Sequence, residues 1–291
     1  MSKIDFVNSL NNKKKSDVSN NLQTFIDISQ RVNVPVKNSL LDIFCGDVID
    51  YIPLIKEDIH LVATSPPYNC NIKYDSYNDN KDIVEYQNWL TDIFKLINNK
   101  MVDGGRVAIN FPLLIKNNDN RILLINIFTQ ILIDSGFQII DCINWVKAKS
   151  EQEAVGVAGR STAWGSWLSP SSPNIRPINE FILIAKKQGK YSSKGKSDIT
   201  KEEFKLYTMS TWFIPSKSSK DHPASFPVEL PKRLIKLLTY KNENILDPFL
   251  GIGSSAIAAI ETERNFYGCD ISKLYIAKTL ERIGIADVVY C

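Results

Sequence analysis

Residues 245–260 read Ile-Leu-Asp-Pro-Phe-Leu-Gly-Ile-Gly-Ser-Ser-Ala-Ile-Ala-Ala-Ile. Ile245 and Leu246 read as a short buried strand, Gly251 and Gly253 permit positive φ and close backbone approach, and the run from Ala256 reads as a helix. Strand, tight glycine loop and helix in this order are how a parallel α/β sheet offers a nucleotide-like ligand a seat at its carboxyl edge. Asp247, at the strand tip, is placed to orient a cationic or amine-bearing ligand tail. A lone G-x-G is weak; the full string from Asp247 to Ser255 is not.

A second informative stretch lies upstream, where the apolar run 59–63 ends at Thr64-Ser65-Pro66-Pro67-Tyr68. A short apolar run stopping at two prolines reads as a buried strand followed by a stiff loop. Pro66 and Pro67 hold an extended backbone whose carbonyls no helix ladder can consume. Ser65 adds a hydroxyl and Tyr68 a flat ring with a polar tip. Together they form a slot for a planar group carrying an amine. Carbonyl and hydroxyl take the N–H bonds, and the ring stacks on the plane.

Between and around these stretches the chain alternates strands (40–45, 60–63, 106–111, 137–147, 181–186, 244–246, 266–269) with helices (48–56, 83–101, 122–134, 230–238, 272–283). That alternation predicts an α/β fold with a mostly parallel central sheet flanked by helices. In helix 83–101, Trp89, Leu90, Ile93, Phe94 and Leu96 mark the buried side. Residues 1–37 are polar and read as an N-terminal extension with one helical stretch at 22–32. Residues 38–291 read as a single domain with a catalytic half, 38–186, and a cofactor-binding half, 218–291.

The 291 residues carry a net charge of +3 with 23% charged and 44% hydrophobic residues, values of a globular chain and not of a polycation. No stretch has the apolar length of a membrane span, and the first residues lack a signal-peptide core, so a cytoplasmic location without membrane contact is expected. Five cysteines without a C-x-x-C pair, beside two histidines, argue against a zinc site. No metal is expected.

The chain resembles the amino-methylating DNA methyltransferases that use S-adenosylmethionine. Thr64-Ser65-Pro66-Pro67-Tyr68 is similar to their catalytic motif and Asp247-Pro248-Phe249-Leu250-Gly251-Ile252-Gly253 to their cofactor loop. Residues 222–227 (His-Pro-Ala-Ser-Phe-Pro) match the segment before that loop, and residues 179–185 match a late strand of the catalytic half. The catalytic motif comes first, as in the circularly permuted β-group. The resemblance runs from about residue 38 to residue 283. It implies a Rossmann-like methyltransferase fold, with Ser65, Pro66, Pro67 and Tyr68 catalytic. Thr64, Phe226, Pro227, Asp247, Pro248, Phe249, Gly251, Gly253, Ser254 and Ser255 would serve the cofactor. It further places Asp47 against the adenine amine and Asp270 against the ribose hydroxyls, with helix N-capping as the competing role for both.

Residues 41–47 (Leu-Asp-Ile-Phe-Cys-Gly-Asp) resemble the cofactor loop of cytosine-C5 methyltransferases, but Asp47 replaces the second glycine. C5 chemistry also needs a thiolate nucleophile, and no cysteine here follows a proline. Family members with Ser at the position of Ser65 are predominantly cytosine-N4 enzymes and those with Asp predominantly adenine-N6 enzymes. The expected activity is therefore N4 methylation of cytosine in double-stranded DNA, with base flipping, as the modification half of a restriction system whose endonuclease is a genetic partner. Adenine-N6 methylation, RNA or small-amine methylation and a non-catalytic binding module stay open at this point, as does a homodimer. Sequence recognition is expected in the irregular segments 148–175 and 187–217, helped by loop 69–82. Arg160, Trp164, Trp167, Arg176, Lys194 and Lys196 are the candidate DNA contacts.

Overall fold

The structure, a computed structural model, describes residues 30–117, 120–154, 169–173, 175, 177–216 and 226–285. In chain order its elements are β1 (Arg31–Val36), β2 (Ser39–Cys45), the short α1 (Val48–Tyr51), β3 (Ile59–Thr64), α2 (Ile83–Lys100), β4 (Met101–Phe111), β5 (Leu114–Asn117), β6 (Asn120–Leu123) and α3 (Leu124–Asp134). There follow β7 (Phe137–Val146), β8 (Asn179–Lys187), α4 (Lys201–Tyr207), β9 (Thr211–Phe213), α5 (Glu229–Leu238), β10 (Asn244–Asp247), α6 (Ser254–Glu261), β11 (Asn265–Asp270) and α7 (Lys273–Ile283).

Nine strands form one sheet in the order β1-β2-β11-β10-β3-β4-β8-β7-β9. The five central strands from β2 to β4 are mutually parallel. Only β1 and β8 run the other way, because β1–β2, β4–β8 and β7–β8 pair antiparallel while β7–β9 is parallel. The ends of β2, β11, β10, β3, β4 and β7 and the start of β8 therefore share one edge. Successive strand residues feed opposite layers, as the pleat requires. Leu61, Ala63 and Ile245 pack under α5, α6 and α7, whereas Val62 and Leu246 pack under α1, α2 and α3. In α2 the buried stripe is Tyr86, Leu90, Ile93, Phe94 and Ile97, one face of a 3.6-residue period, with Trp89 and Leu96 at its margin.

Several boundaries differ from the sequence reading. Residues 31–36 are an edge strand, not part of an extension ending at 37. A hairpin pairs Arg31 with Phe44 and Val36 with Ser39, and the Arg31 guanidinium and Asn33 amide both bind the Asp42 carboxylate. Hairpin β5–β6 takes residues 120–123, so α3 starts at Leu124 and not at 122. Gly104 lies within β4 at φ +71, where a Cβ would stand 2.5 Å from the Tyr191 nitrogen. The glycine serves a close backbone crossing and not a turn.

That crossing matters for function. The chain leaving β8 runs beneath the amino ends of the strands. The Tyr191 and Ser193 hydroxyls both bond Glu243, just before β10. Asp198 pairs with both terminal nitrogens of the fully buried Arg264, just before β11. The segment expected to be irregular also contains α4, whose Thr200–Glu203 capping box is complete, and β9, which buries Trp212 and extends the sheet.

Candidate active site

Ser65 sits one residue beyond β3. Its hydroxyl meets the Tyr68 hydroxyl at 2.6 Å and donates to the Asn110 main-chain carbonyl at 3.2 Å. Pro67 is anchored through its carbonyl by the Tyr86 hydroxyl of α2 at 2.7 Å, so the proline loop is clamped from below. Among the described residues nothing donates to the Pro66 carbonyl, as expected of a backbone acceptor held for a ligand. The Tyr68 ring is buried in the α2 layer, and burial lifts its phenol far above the ordinary range. In this state the ring offers no face for stacking. Its hydroxyl lies against that of Ser65.

Asp247 is the pin between the two motifs. It is fully buried and accepts from Thr64 Oγ1 at 2.6 Å, from Ser255 Oγ and from the Phe249 amide at 3.1 Å. Burial pushes its carboxyl up to about 6, against the pull of those three donors. The expectation that Asp247 faces the ligand is therefore corrected, since both its oxygens are consumed in tying the tip of β10 to β3 and α6. Thr64 and Ser255 are spent on the same pin, and Ser254 is buried as the first residue of α6. Gly253 has φ +78, and a Cβ there would fall 2.5 Å from Thr279 Cγ2, so only glycine lets α7 pack against the loop. Gly251, at φ +54, turns its amide onto Asp270 Oδ2 at 2.8 Å.

A pocket partly open to solvent lies outside the strand ends and reaches Ser65 and Pro67. Its floor comes from Gly46 and Asp47 after β2, Asp270 and Ser272 after β11, and Pro248 and Phe249 after β10. Asp47 caps α1 by accepting from the Ile49 amide at 2.9 Å. Asp270 accepts from Gly251 and Ser272, and burial lifts its carboxyl to about 6. Both acids keep a local structural role while lining the pocket. Phe226 and Pro227 do not line it. Phe226 packs on the α5–α6–α7 layer, and Pro227 accepts from Leu230 at the start of α5.

The other wall escaped the sequence reading. Trp89 of α2 lies between Tyr77 and Phe249, with ring centroids 5.6 and 5.7 Å away. Tyr74, Ser76, Tyr77 and Lys81 of loop 69–82 face the same space, so that loop roofs the pocket. Asp79, 2% exposed, holds the roof by accepting from the amides of Asn69, Cys70 and Ile72 at 2.7, 3.1 and 3.0 Å. The Asn69 side chain adds a two-point bond to the Lys81 backbone, and Ser272 ties the loop's far end through Asp75 at 2.6 Å.

Beside Ser65 a further cluster was not foreseen. Asn110 Nδ2 donates to Glu180 Oε2 at 2.7 Å, and Lys147 bonds the other oxygen of Glu180. The three come from the ends of β4 and β7 and the start of β8, which no local pattern joins.

The pattern of a DNA methylase family, N6_N4_Mtase, matches residues 59–281, more than half of the chain. The chain belongs to this DNA methylase family. It is 36% identical over 171 residues to the type II methyltransferase M.MjaVI of Methanocaldococcus jannaschii, a match covering 58% of this chain and 84% of that relative. It is 27% identical over 288 residues to M.MjaI of the same organism, covering 84% and 91%. The fold is also that of a DNA modification methylase from Thermus thermophilus solved with S-adenosyl-L-methionine, with a TM-score of 0.64 and 23% identity over 84% of this chain and 93% of that one. A PvuII DNA methyltransferase described as cytosine-N4-specific superposes with a TM-score of 0.61 at 18% identity, covering 86% and 92%. This DNA methylase thus has the family's α/β sheet, with both motifs at one edge.

The candidate DNA contacts divide. Arg160, Trp164, Trp167 and Arg176 lie outside the described residues, but the segment containing them leaves β7 and enters β8 at the Ser65 edge. Lys194 and Lys196 are a correction. They flank Gly195, whose Cβ would lie 2.3 Å from Tyr240 Cβ, and so stand at the opposite, amino edge. A crossover strand such as β8 carries the chain from one edge to the other, which composition could not reveal. Among the described residues no helix is long and apolar enough to cross a membrane.

Proposed function

We propose that this DNA methylase transfers a methyl group from S-adenosylmethionine to the exocyclic N4 of cytosine in double-stranded DNA, as a permuted β-group enzyme. The observation that carries the reading is the Ser65 hydroxyl at the tip of β3, opening onto the pocket, beside a Pro66 carbonyl to which nothing donates among the described residues. The pocket suits the cofactor's chemistry. Tyr77, Trp89 and Phe249 give an aromatic wall for a purine, while Asp47 and Asp270 give acceptors for an amine and for hydroxyls. When bound, S-adenosylmethionine supplies an electrophilic sulfonium methyl.

The chain's own residues must then hold and polarise a poor nucleophile, since the lone pair of an aromatic amine is delocalised into its ring. Ser65 Oγ and the Pro66 carbonyl accept the two amine hydrogens and draw the nitrogen toward tetrahedral geometry. As the N–C bond forms at the expense of the methyl–sulfur bond, one of those hydrogens leaves as a proton to solvent water at the open pocket. The base reaches this slot only when flipped from the duplex, at a cost of a few kcal/mol. Segment 148–175, which starts and returns at the Ser65 edge, carries Arg160, Trp164 and Trp167 to the DNA, with Arg176 just beyond it. The type II names of the relatives support a modification role with an endonuclease of the same specificity as genetic partner. Digestion to nucleosides after incubation with plasmid and labelled cofactor tests the assignment. Labelled N4-methylcytosine is expected. Labelled N6-methyladenine overturns the base, and unlabelled DNA overturns the activity.

A further inference from the structure

Lys147, Glu180 and Asn110 stand beside Ser65 with no part in the pocket or the glycine loop. They are joined to Ser65 by an unbroken chain of hydrogen bonds. Lys147 Nζ bonds Glu180 Oε1. Asn110 Nδ2 donates to Glu180 Oε2 at 2.7 Å and to the Tyr68 hydroxyl at 3.3 Å. Tyr68 and Ser65 share a 2.6 Å bond, and Ser65 donates to the Asn110 carbonyl at 3.2 Å.

Chemistry at the two ends of the chain, an ammonium and a main-chain carbonyl, dictates the direction of the bonds between them. An ammonium has only hydrogens to give and a carboxylate only lone pairs. Asn110 must therefore present its NH2 group to Glu180, because a flipped amide would set two acceptors 2.7 Å apart. Its second hydrogen goes to the Tyr68 oxygen, the phenol hydrogen to Ser65 Oγ, and the serine hydrogen to the main-chain carbonyl. The structure bears a cost for this arrangement, since Asn110 Oδ1 is buried without a partner.

We propose that Glu180, held by Lys147, is a positioning residue that sets the polarity of the Ser65 hydroxyl. The proposal rests on the reading of Ser65 as the amine-holding group. A target amine attacks with its lone pair, and a serine hydrogen aimed at that nitrogen would occupy the pair. With its hydrogen on the Asn110 carbonyl and one lone pair taken by Tyr68, Ser65 meets the amine only as an acceptor.

In Glu180→Gln, Lys147 claims the new amide's oxygen, leaving its NH2 to face Asn110. Asn110 then flips, and Tyr68 and Ser65 rotate in turn. With full-length protein, plasmid and labelled S-adenosylmethionine, kcat should fall about 10- to 100-fold. Cofactor Kd and KM for DNA should stay within about twofold, as ground-state contacts are untouched. Adding Lys147→Met should restore most of kcat, because the glutamine oxygen is then free to turn back to Asn110. A gain on losing a second side chain is not what a merely structural role produces. Wild-type kcat in Glu180→Gln, or a double variant no faster than the single one, overturns the proposal. Should Glu180→Gln fail to bind cofactor, Tyr68→Phe cuts the same chain without touching the ion pair. It should lower kcat with both binding constants unchanged, and wild-type kcat there is equally fatal. The same digests identify the methylated base, so N6-methyladenine would overturn the cytosine assignment while the rate ratios still decide the polarity.

Discussion

Replacing Asp79 by Asn should detach the roof of the pocket while sparing the catalytic tip. The substitution is isosteric, so it leaves no cavity. Asp79 Oδ1 accepts from Asn69 and Oδ2 from both Cys70 and Ile72. An asparagine can keep its oxygen on Asn69 but turns an NH2 toward the other two amides, donor against donor. Two half-buried donors lose their acceptor, at the low end of about 1–3 kcal/mol each. Burial of the carboxylate holds the Asp79 carboxyl above its usual range, so removing the charge recovers part of that loss. A net of about 1–3 kcal/mol in the loop's closing equilibrium corresponds to cofactor binding weaker by roughly 5- to 150-fold. Calorimetric titration with S-adenosylmethionine reads it directly, and turnover at saturating cofactor should remain within about threefold of wild type. A variant that binds cofactor like the wild type would show that loop 69–82 does not close the pocket. One that binds normally but turns over slowly would place the loop in the chemistry instead.

Ser65→Ala should lower kcat by about 100-fold, the scale of losing one preorganised donor or acceptor at a reacting centre, and leave cofactor Kd unchanged; equal loss of both would merge the two sites. Trp89→Ala should weaken cofactor binding by about 1–3 kcal/mol with little change in KM for DNA, since it removes the ring between Tyr77 and Phe249. Asp247, an acid whose folded pKa is raised to about 6, binds its proton more tightly folded than unfolded, so its ionisation destabilises the fold as pH rises from about 4 through 6. Relative to wild type, Asp247→Asn should therefore gain about 2 kcal/mol between pH 4 and 7.5, read from urea midpoints, and a pH-independent difference would refute the assignment. Lys194→Ala with Lys196→Ala should leave DNA affinity and its salt dependence unchanged, whereas a log–log salt slope shallower by about 2 would return both lysines to the DNA face.

Much of the fold was legible because its signals are local. Two prolines after an apolar run, a glycine loop between strand and helix, and the alternation of apolar positions act within a few residues of themselves, and β3, β10, α2 and the cofactor edge followed from them. The missed elements carried weak or competing local signals. β9 is three residues long and α4 seven, and the capping box at Thr200–Glu203 was hidden in a polar stretch. Asp47 and Asp270, expected at strand ends, both line the pocket because each sits at the end of a recognisable strand.

What the tertiary structure alone decided was which polar groups are spent and which are free. Asp247 reads as a ligand residue until Thr64, 183 positions away, and Ser255 are seen to consume it. Trp89, Asn110 and Glu180 look like helix and strand residues, and only the sheet order brings them to the pocket edge at Ser65. Lys194 and Lys196 follow a strand that crosses the sheet, so their edge is a matter of strand direction and not of charge. The reason is common to all of them. Propensity and periodicity are properties of neighbours along the chain, whereas the burial and the hydrogen-bond partner of a polar side chain are set by elements that meet only once the sheet has formed.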